Sequence, residues 1–255
     1  MPVLVTGATG CVGRALIPML VDAGGQVRVY VRQDVPEYRE LGVKVAIGEA
    51  DHEGRLESAL EQVHTLVHLI GRPLPEGDVS VEWLNLDTTE VALRAAENAE
   101  VRRILFLSPL GADPASEHPY LAAKGRAEKA IRASKLEHAI FRCAPILGQG
   151  SALSFALERG LSTNARINPI AVGDVAAMLV SADTRDAELR DAWELGGPEA
   201  LTVAELSARL GIRGGALGRV LRGVPKELSA LYGRDQLADP SEAIAQFGLQ
   251  PSPLT

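Results

Sequence analysis

Two hydrophobic rhythms alternate along the first two hundred or so residues of this chain. Short continuous apolar runs are followed by stretches in which apolar residues recur every three or four positions. A continuous run suits a strand buried on both faces, and the longer spacing suits a helix with one covered stripe. Val3-Leu4-Val5 is the first run, and Val12, Ala15, Leu16, Met19, Leu20 and Ala23 follow it at helical spacing. Gln26–Val31, Lys44–Ile47, Thr65–Ile70, Ile104–Leu107, Ala139–Arg142 and Ala192–Leu195 read as the later strands. Helices are predicted near Glu37–Leu41, around Leu56, Leu60 and Val63, and over Val79–Ala99, Tyr120–Ala133 and Val172–Ser181, the last capped by Gly173 or Asp174. Pro18 should kink the first helix, because its ring displaces the carbonyl of Arg14. Strands alternating with helices imply right-handed crossovers and a parallel sheet covered on both sides, an α/β doubly wound fold.

The rhythm loosens after Cys143. Pro145, Gly148 and Gly150 mark a loop, Ala152–Arg159 a short helix, and Thr202 with Glu205 a capping box before Val203–Leu210. Short helical pieces follow Pro225. This divides the chain into a main domain of 1–143 plus 169–198 and a small C-terminal lobe of 144–168 plus 199–255. The lobe should lie over the C-terminal edge of the sheet.

Chemistry concentrates where strands meet helices. Gly7, Gly10 and Gly13 stand between the first strand and the first helix. Gly7 permits a sharp bend, Gly10 lets a diphosphate approach the backbone, and Gly13 lets helix and strand pack closely. The helix start adds unpaired N–H groups and partial positive charge. Arg32 ends the second strand, where a carboxylate would favour NAD and a guanidinium favours the 2′-phosphate of NADP. NADP is therefore expected in preference to NAD. Tyr120 and Lys124 share a helix face, and Ser108 ends the fifth strand, the edge where ligands lie in such sheets.

A net charge of −7 without a basic cluster argues against a nucleic-acid partner. No apolar run reaches membrane-spanning length, so membrane insertion is not expected. The first strand begins at Pro2, leaving no room for a leader, and Cys11 and Cys143 read as reduced thiols, which places the protein in the cytoplasm. His64 and His68 lack a third ligand and read as structural, with no metal site. Trp83 and Trp193 read as packing residues. Oligomeric state is not legible.

TGATGCVG resembles the short-chain dehydrogenase/reductase superfamily in its extended and atypical branches. YLAAKGRAEKAI resembles that family's Y-x-x-x-K element and FLSPLGAD its serine strand. RCAPILGQG, INPIAVGDVAAMLV and WELGGPEALTVAEL resemble segments in relatives of the NADPH-binding accessory subunit of respiratory complex I, with NmrA-like proteins next. The resemblance implies a Rossmann domain with a small C-terminal substrate lobe. It places Gly7, Thr9, Gly10, Cys11, Val12 and Gly13 at the diphosphate and Arg32 at the 2′-phosphate. Glu49 and Ala50 then meet the adenine, while Leu69, Ile70 and Gly71 pass the ribose and phosphates. Tyr120 is the implied acid/base, Ser108 polarises the same oxygen, and Lys124 holds the nicotinamide ribose and lowers the tyrosine's pKa. Asn85 matches an asparagine of the long helix, or else is a polar residue on that helix's exposed side. The chain departs from the pattern at Cys11, usually aromatic, at Cys143, usually proline, at Pro109 after the serine, and in its short Ser108-to-Tyr120 interval.

The implied function is NADP-dependent oxidoreduction of a small carbonyl or quinone-like substrate, with Arg72–Gly77, Gln149–Asn168 and the tail forming its pocket. The alternatives are a non-catalytic NAD(P)-binding redox sensor or assembly protein, and a nucleoside-diphosphate-sugar epimerase or dehydratase.

Overall fold

The computed structural model describes residues 1–212 and 223–254. Its frame is one parallel sheet of seven strands: β1 (Pro2–Thr6), β2 (Gln26–Val31), β3 (Lys44–Ile47), β4 (Thr65–His68), β5 (Arg103–Pro109), β6 (Glu137–Cys143) and β10 (Arg190–Leu195). Two-residue strands β7 (Ile146–Leu147), β8 (Arg166–Ile167), β9 (Ile170–Ala171) and β11 (Leu201–Thr202) form two separate small pairs. The helices are α1 (Cys11–Asp22), α2 (Pro36–Glu40), α3 (Glu53–Leu60), α4 (Thr88–Asn98), α5 (Pro119–Ala133), α6 (Ala152–Glu158), α7 (Val172–Asp183), α8 (Val203–Arg209), α9 (Lys226–Leu231) and α10 (Ser241–Phe247).

The strand order is β10-β6-β5-β4-β1-β2-β3, with every neighbouring pair parallel. The chain builds outward from β1 to β3, then returns to the other side of β1 with β4. That reversal opens a crevice beyond the carboxyl ends of β1 and β4, the hallmark of a Rossmann fold.

Alternation along β1 assigns its two faces. Val3 and Val5 share a core with Leu16, Ile17 and Leu20 of α1 and Val175 and Leu179 of α7. Leu4 joins the opposite core with Leu56 and Leu60 of α3, Leu93 of α4 and Ile131 of α5. Each such side chain withdrawn from water contributes about 1.5–3 kcal/mol. At the amino end of β5, Arg103 is wholly buried and bonds Glu137 and the carbonyls of Ala182, Arg185 and Ala187 at 2.7–3.0 Å, which ties the end of α7 to the sheet.

Several boundaries move, each for a nonlocal reason. β5 runs to Pro109, so Ser108 lies inside the strand, held by β6 alongside. The long helix starts later than its periodicity predicts, because Glu76 and Val79 close a tight turn through paired backbone bonds of 3.1 and 3.0 Å. Its first part, Trp83–Asp87, is a π-helix. Pro18 sits within α1 without ending it. Neither Gly173 nor Asp174 caps α7; Ala171 holds the cap position with no side-chain bond. Asp174 instead accepts bonds from the Ser252 N–H (2.8 Å) and hydroxyl (3.1 Å), pinning the chain's tail. The Thr202–Glu205 capping box is present.

Past Cys143, α6, α8 and α9 pool Leu153, Leu157, Leu206, Leu228 and Leu231 into a third apolar cluster with Leu121 of α5. α10 does not join it. Phe247 packs on Trp193 and Phe141 of the main sheet, with ring centroids 5.1 and 5.4 Å apart. Residues 213–222 of the expected lobe lie outside the described residues. No described helix is long and apolar enough to cross a membrane.

Candidate active site

A cleft of about 620 Å³ runs along the carboxyl ends of the central strands. Every cofactor and catalytic residue expected from the sequence borders it, from Gly7 to Lys124. Its floor is the glycine turn. Gly7 has φ +67, and a Cβ there would meet the backbone of Leu69 and Ile70 at 2.7–2.8 Å. A Cβ on Gly13 would meet the Ala8 carbonyl oxygen at 2.4 Å. A side chain at Gly7 would push the turn off the end of β4, and one at Gly13 would push α1 off the turn. Two bonds brace the turn from outside: the Tyr38 hydroxyl donates to the Ala8 carbonyl (2.6 Å) and Arg14 Nε to that of Thr9 (2.8 Å). Gly10 begins α1 with no side-chain cap, so the first-turn N–H groups stay available to a ligand.

The rim beyond Arg32 is charged. Arg32 Nη2 lies 3.0 Å from Glu76 Oε1, and Arg72 Nη1 lies 3.1 Å from Glu76 Oε2. One carboxylate thus bridges two guanidiniums. The Arg32 hydrogen bond, with help from Arg72, holds the Glu76 carboxyl below the usual carboxylate range. Arg32 therefore borders the cleft just past β2, already paired. Neither Arg72 nor Glu76 was expected here as a charged partner, although their i, i+4 spacing just past Gly71 was a visible signal. Nearby, the Tyr30 hydroxyl donates to the Glu49 carbonyl at 3.0 Å.

The other end is buried and short of partners. Ser108 is 3% exposed, and its hydroxyl has no hydrogen-bond partner among the described residues. Asn85 is fully buried, which removes the exposed-side reading of this residue. Its Nδ2 donates to the carbonyls of Arg72 (2.9 Å) and Val81 (2.7 Å), while Oδ1 is unpaired. Lys124 Nζ donates to the Leu107 carbonyl at 2.9 Å and sits 4.1 Å above the Phe106 ring. Gly71 makes room for both: a Cβ there would fall 2.5 Å from Asn85 Oδ1 and 3.0 Å from Lys124 Nζ. Two features hold α5 in place. Arg142 clasps the buried Glu128 at 2.6 Å, and a Cβ on Gly125 would strike the backbone of Asp113 and Pro114 at 2.4 Å.

Burial governs ionisation at this end. It lowers Lys124 to about 7 and pushes the Cys143 thiol up to about 12. It also raises Tyr120, with the neighbouring Cys143 adding to the rise. The expected lowering of Tyr120 by Lys124 is therefore reversed here. The ammonium turns to the Leu107 carbonyl, and burial raises Tyr120. His68 lies beneath, bonded through Nδ1 to the Thr6 hydroxyl (2.9 Å) and stacked on Phe106, and burial lowers its pKa to about 3. Trp83, expected as packing, borders the cleft, whereas Trp193 packs in the core.

These features fit a dinucleotide. The glycine turn is a cradle that side chains would fill, a helix start faces it, and the Ser108 hydroxyl and Asn85 Oδ1 stand without partners among the described residues at the far end.

Comparison with known proteins agrees with this geometry. A family model described as NAD(P)H-binding matches residues 7–185. The NADH dehydrogenase [ubiquinone] 1 alpha subcomplex subunit 9 of Arabidopsis thaliana mitochondria is 30% identical over 80% of this chain and 55% of its own length. The chain thus spans about half of that relative. A (4-alkanoyl-5-oxo-2,5-dihydrofuran-3-yl)methyl phosphate reductase of Streptomyces griseus is 31% identical over 86% of this chain and 75% of its own. Among solved structures, MoeE5 in complex with UDP-glucuronic acid and NAD superposes with a TM-score of 0.77 at 21% identity, covering 100% of this chain and 95% of that one. This last likeness concerns the fold.

Proposed function

Since the chain belongs to the NAD(P)H-binding family, of extended short-chain dehydrogenase/reductase type, we propose that it is an NADP-dependent oxidoreductase of a small carbonyl or quinone-like substrate. The observation that carries this is one cleft with a glycine cradle at its floor and Ser108, Tyr120 and Lys124 converging at its far end.

The glycine turn and the start of α1 bind the diphosphate. Arg32, joined by Arg72, faces the 2′-phosphate, and Lys124 bonds the nicotinamide ribose. The bound cofactor supplies the hydride. Tyr120 keeps its proton at neutral pH, because burial raises its pKa, so it donates to the substrate oxygen during reduction. The unpaired Ser108 hydroxyl polarises that same oxygen. Lys124, with a pKa near 7, holds or releases a proton one helical turn from Tyr120. Segment 144–168 and the helices packed with it form the substrate side. Free thiols at Cys11 and Cys143 suit a reducing cytosol.

A carbonyl and quinone panel with NADPH tests this reading, alongside calorimetry of NADPH and NADH. Reduction of panel members, abolished by Tyr120→Phe, supports it. Tight NADPH binding without reduction of any member favours instead a nucleotide-binding sensor or assembly role, a reading drawn from the likeness to the complex I subunit.

A further inference from the structure

Beyond Tyr120 the cleft enters a chamber walled by segments that carry no motif. Leu74 comes from the loop after β4, Phe155 from α6, and Leu228, Leu231 and Tyr232 from α9 and its end. Leu228, Leu231 and Tyr232 are buried, and they share one apolar cluster with Leu74, Phe155 and Tyr120. The wall is not wholly apolar, since the Tyr232 hydroxyl stands near Tyr120 and Ser151 borders the cleft. Gln236 donates to the Leu231 carbonyl at 2.9 Å, and Arg159 stacks on Phe155 at 3.7 Å without bordering the cleft. The Ser108 hydroxyl is unpaired, and Tyr120 borders the same end. An apolar wall with a few convergent polar groups orients a ligand by its one polar end.

We propose that the substrate is a carbonyl compound with an apolar body, alkyl or aryl, seated against Leu74, Phe155, Leu228, Leu231 and Tyr232, its oxygen directed at Ser108 and Tyr120. The proposal rests on the oxidoreductase reading and names its substrate class. Burying hydrocarbon here strengthens binding roughly fourfold per methylene. Sugar hydroxyls pressed against Leu74, Phe155, Leu228 and Leu231 would lose water without gaining partners there. The reaction balances with groups already named. The carbonyl carbon gains a hydride from reduced nicotinamide as the C=O π bond opens. The oxygen takes the Tyr120 proton, leaving an alcohol, oxidised cofactor and a phenolate that water reprotonates.

A homologous series of straight-chain aldehydes and methyl ketones, from two to twelve carbons, tests it with NADPH in the full chain. A matching series of unreactive alkyl amides gives dissociation constants without turnover. The expected result is a KM and an amide Kd that each fall about three- to fourfold per added methylene until the chamber is full. Leu74→Asn and Phe155→Asn change partly exposed positions, so folding should survive. Each should raise KM for long substrates about tenfold and for the shortest by a smaller factor, so that the slope per methylene flattens. Turnover independent of chain length, or UDP-glucose binding more tightly than the longest amide, overturns the apolar assignment and leaves oxidoreduction standing. Length-dependent amide binding with no aldehyde or ketone reduced keeps the chamber's ligand class and overturns the oxidoreductase reading.

Discussion

At the Arg32 end of the cleft, two guanidiniums share one carboxylate, and the three side chains are 66%, 47% and 38% exposed. At the Tyr120 end, 3% of Ser108 and 4% of Lys124 reach solvent, and Ser108 Oγ, Asn85 Oδ1 and His68 Nε2 go unpaired among the described residues. The contrast is one of dielectric. Charges in water are screened and exchange partners at little cost. Polar groups out of water shift their pKa values and destabilise the fold until something satisfies them. The second end therefore holds its chemistry at the expense of stability.

Tyr120→Phe makes the sharpest separation between the two ends. Turnover should fall roughly 10²-fold or more, because the proton donor is gone, while NADPH affinity stays nearly intact. Unchanged turnover would remove Tyr120 from the reaction.

Lys124→Met should stabilise the protein by a few kcal/mol at pH 6–7, roughly the size of the pKa shift expressed as energy. The sign follows from proton counts. Lys124 drops from 10.5 to about 7 on folding, so the unfolded chain binds more protons between those values, and stability rises with pH there. The penalty is complete below pH 7 and is withdrawn as pH climbs. Cys143 opposes this above its unfolded value of 9.0, since its thiol is raised on folding. Denaturant melts between pH 7 and 9 should thus show a rising slope that the variant flattens. The variant should also bind NADPH more weakly.

Arg32→Ala probes the exposed end. NADPH should weaken about 10- to 100-fold, the worth of a charge-assisted bond, with NADH nearly unchanged and the difference shrinking at high salt. Equal affinities for the two nucleotides in the parent protein would sink the NADP assignment. Ser108→Ala should raise stability by about 1 kcal/mol in chemical melts, since it deletes an unpaired buried hydroxyl, while lowering turnover. The smallest effect belongs to Glu76→Gln. Freed from their shared carboxylate, Arg32 and Arg72 should bind NADPH a few-fold more tightly at low salt, by calorimetry. Weaker NADPH binding would instead make Glu76 a brace that holds both arginines in position.

Most of this architecture was legible in local pattern. The runs at Val3–Val5 and Gln26–Val31, the helical stripe after Gly13 and the Thr202–Glu205 capping box depend on neighbours a few positions away, and each appears as read. The glycine turn was equally legible, because sharp bends and close approaches demand specific residue types. What was hidden depends on partners far along the chain. Glu76 meets Arg32 across 44 positions, and Asp174 takes Ser252 across 78 in place of capping its own helix. Asn85 is buried because a π-helix turns it beneath Gly71, and α10 leaves the lobe because Phe247 finds Trp193.

The sequence by itself determined the order of strands and helices, the glycine turn and the types of side chain available for chemistry. Those follow from periodicity and turn geometry, which neighbouring residues impose. Only the tertiary structure decided which charges pair, which polar groups lose water and what walls the chamber past Tyr120. Desolvation and pairing depend on which faces the crossovers bring together. For that reason burial pushes Tyr120 upward, where Lys124 together with a nicotinium ring was expected to lower it.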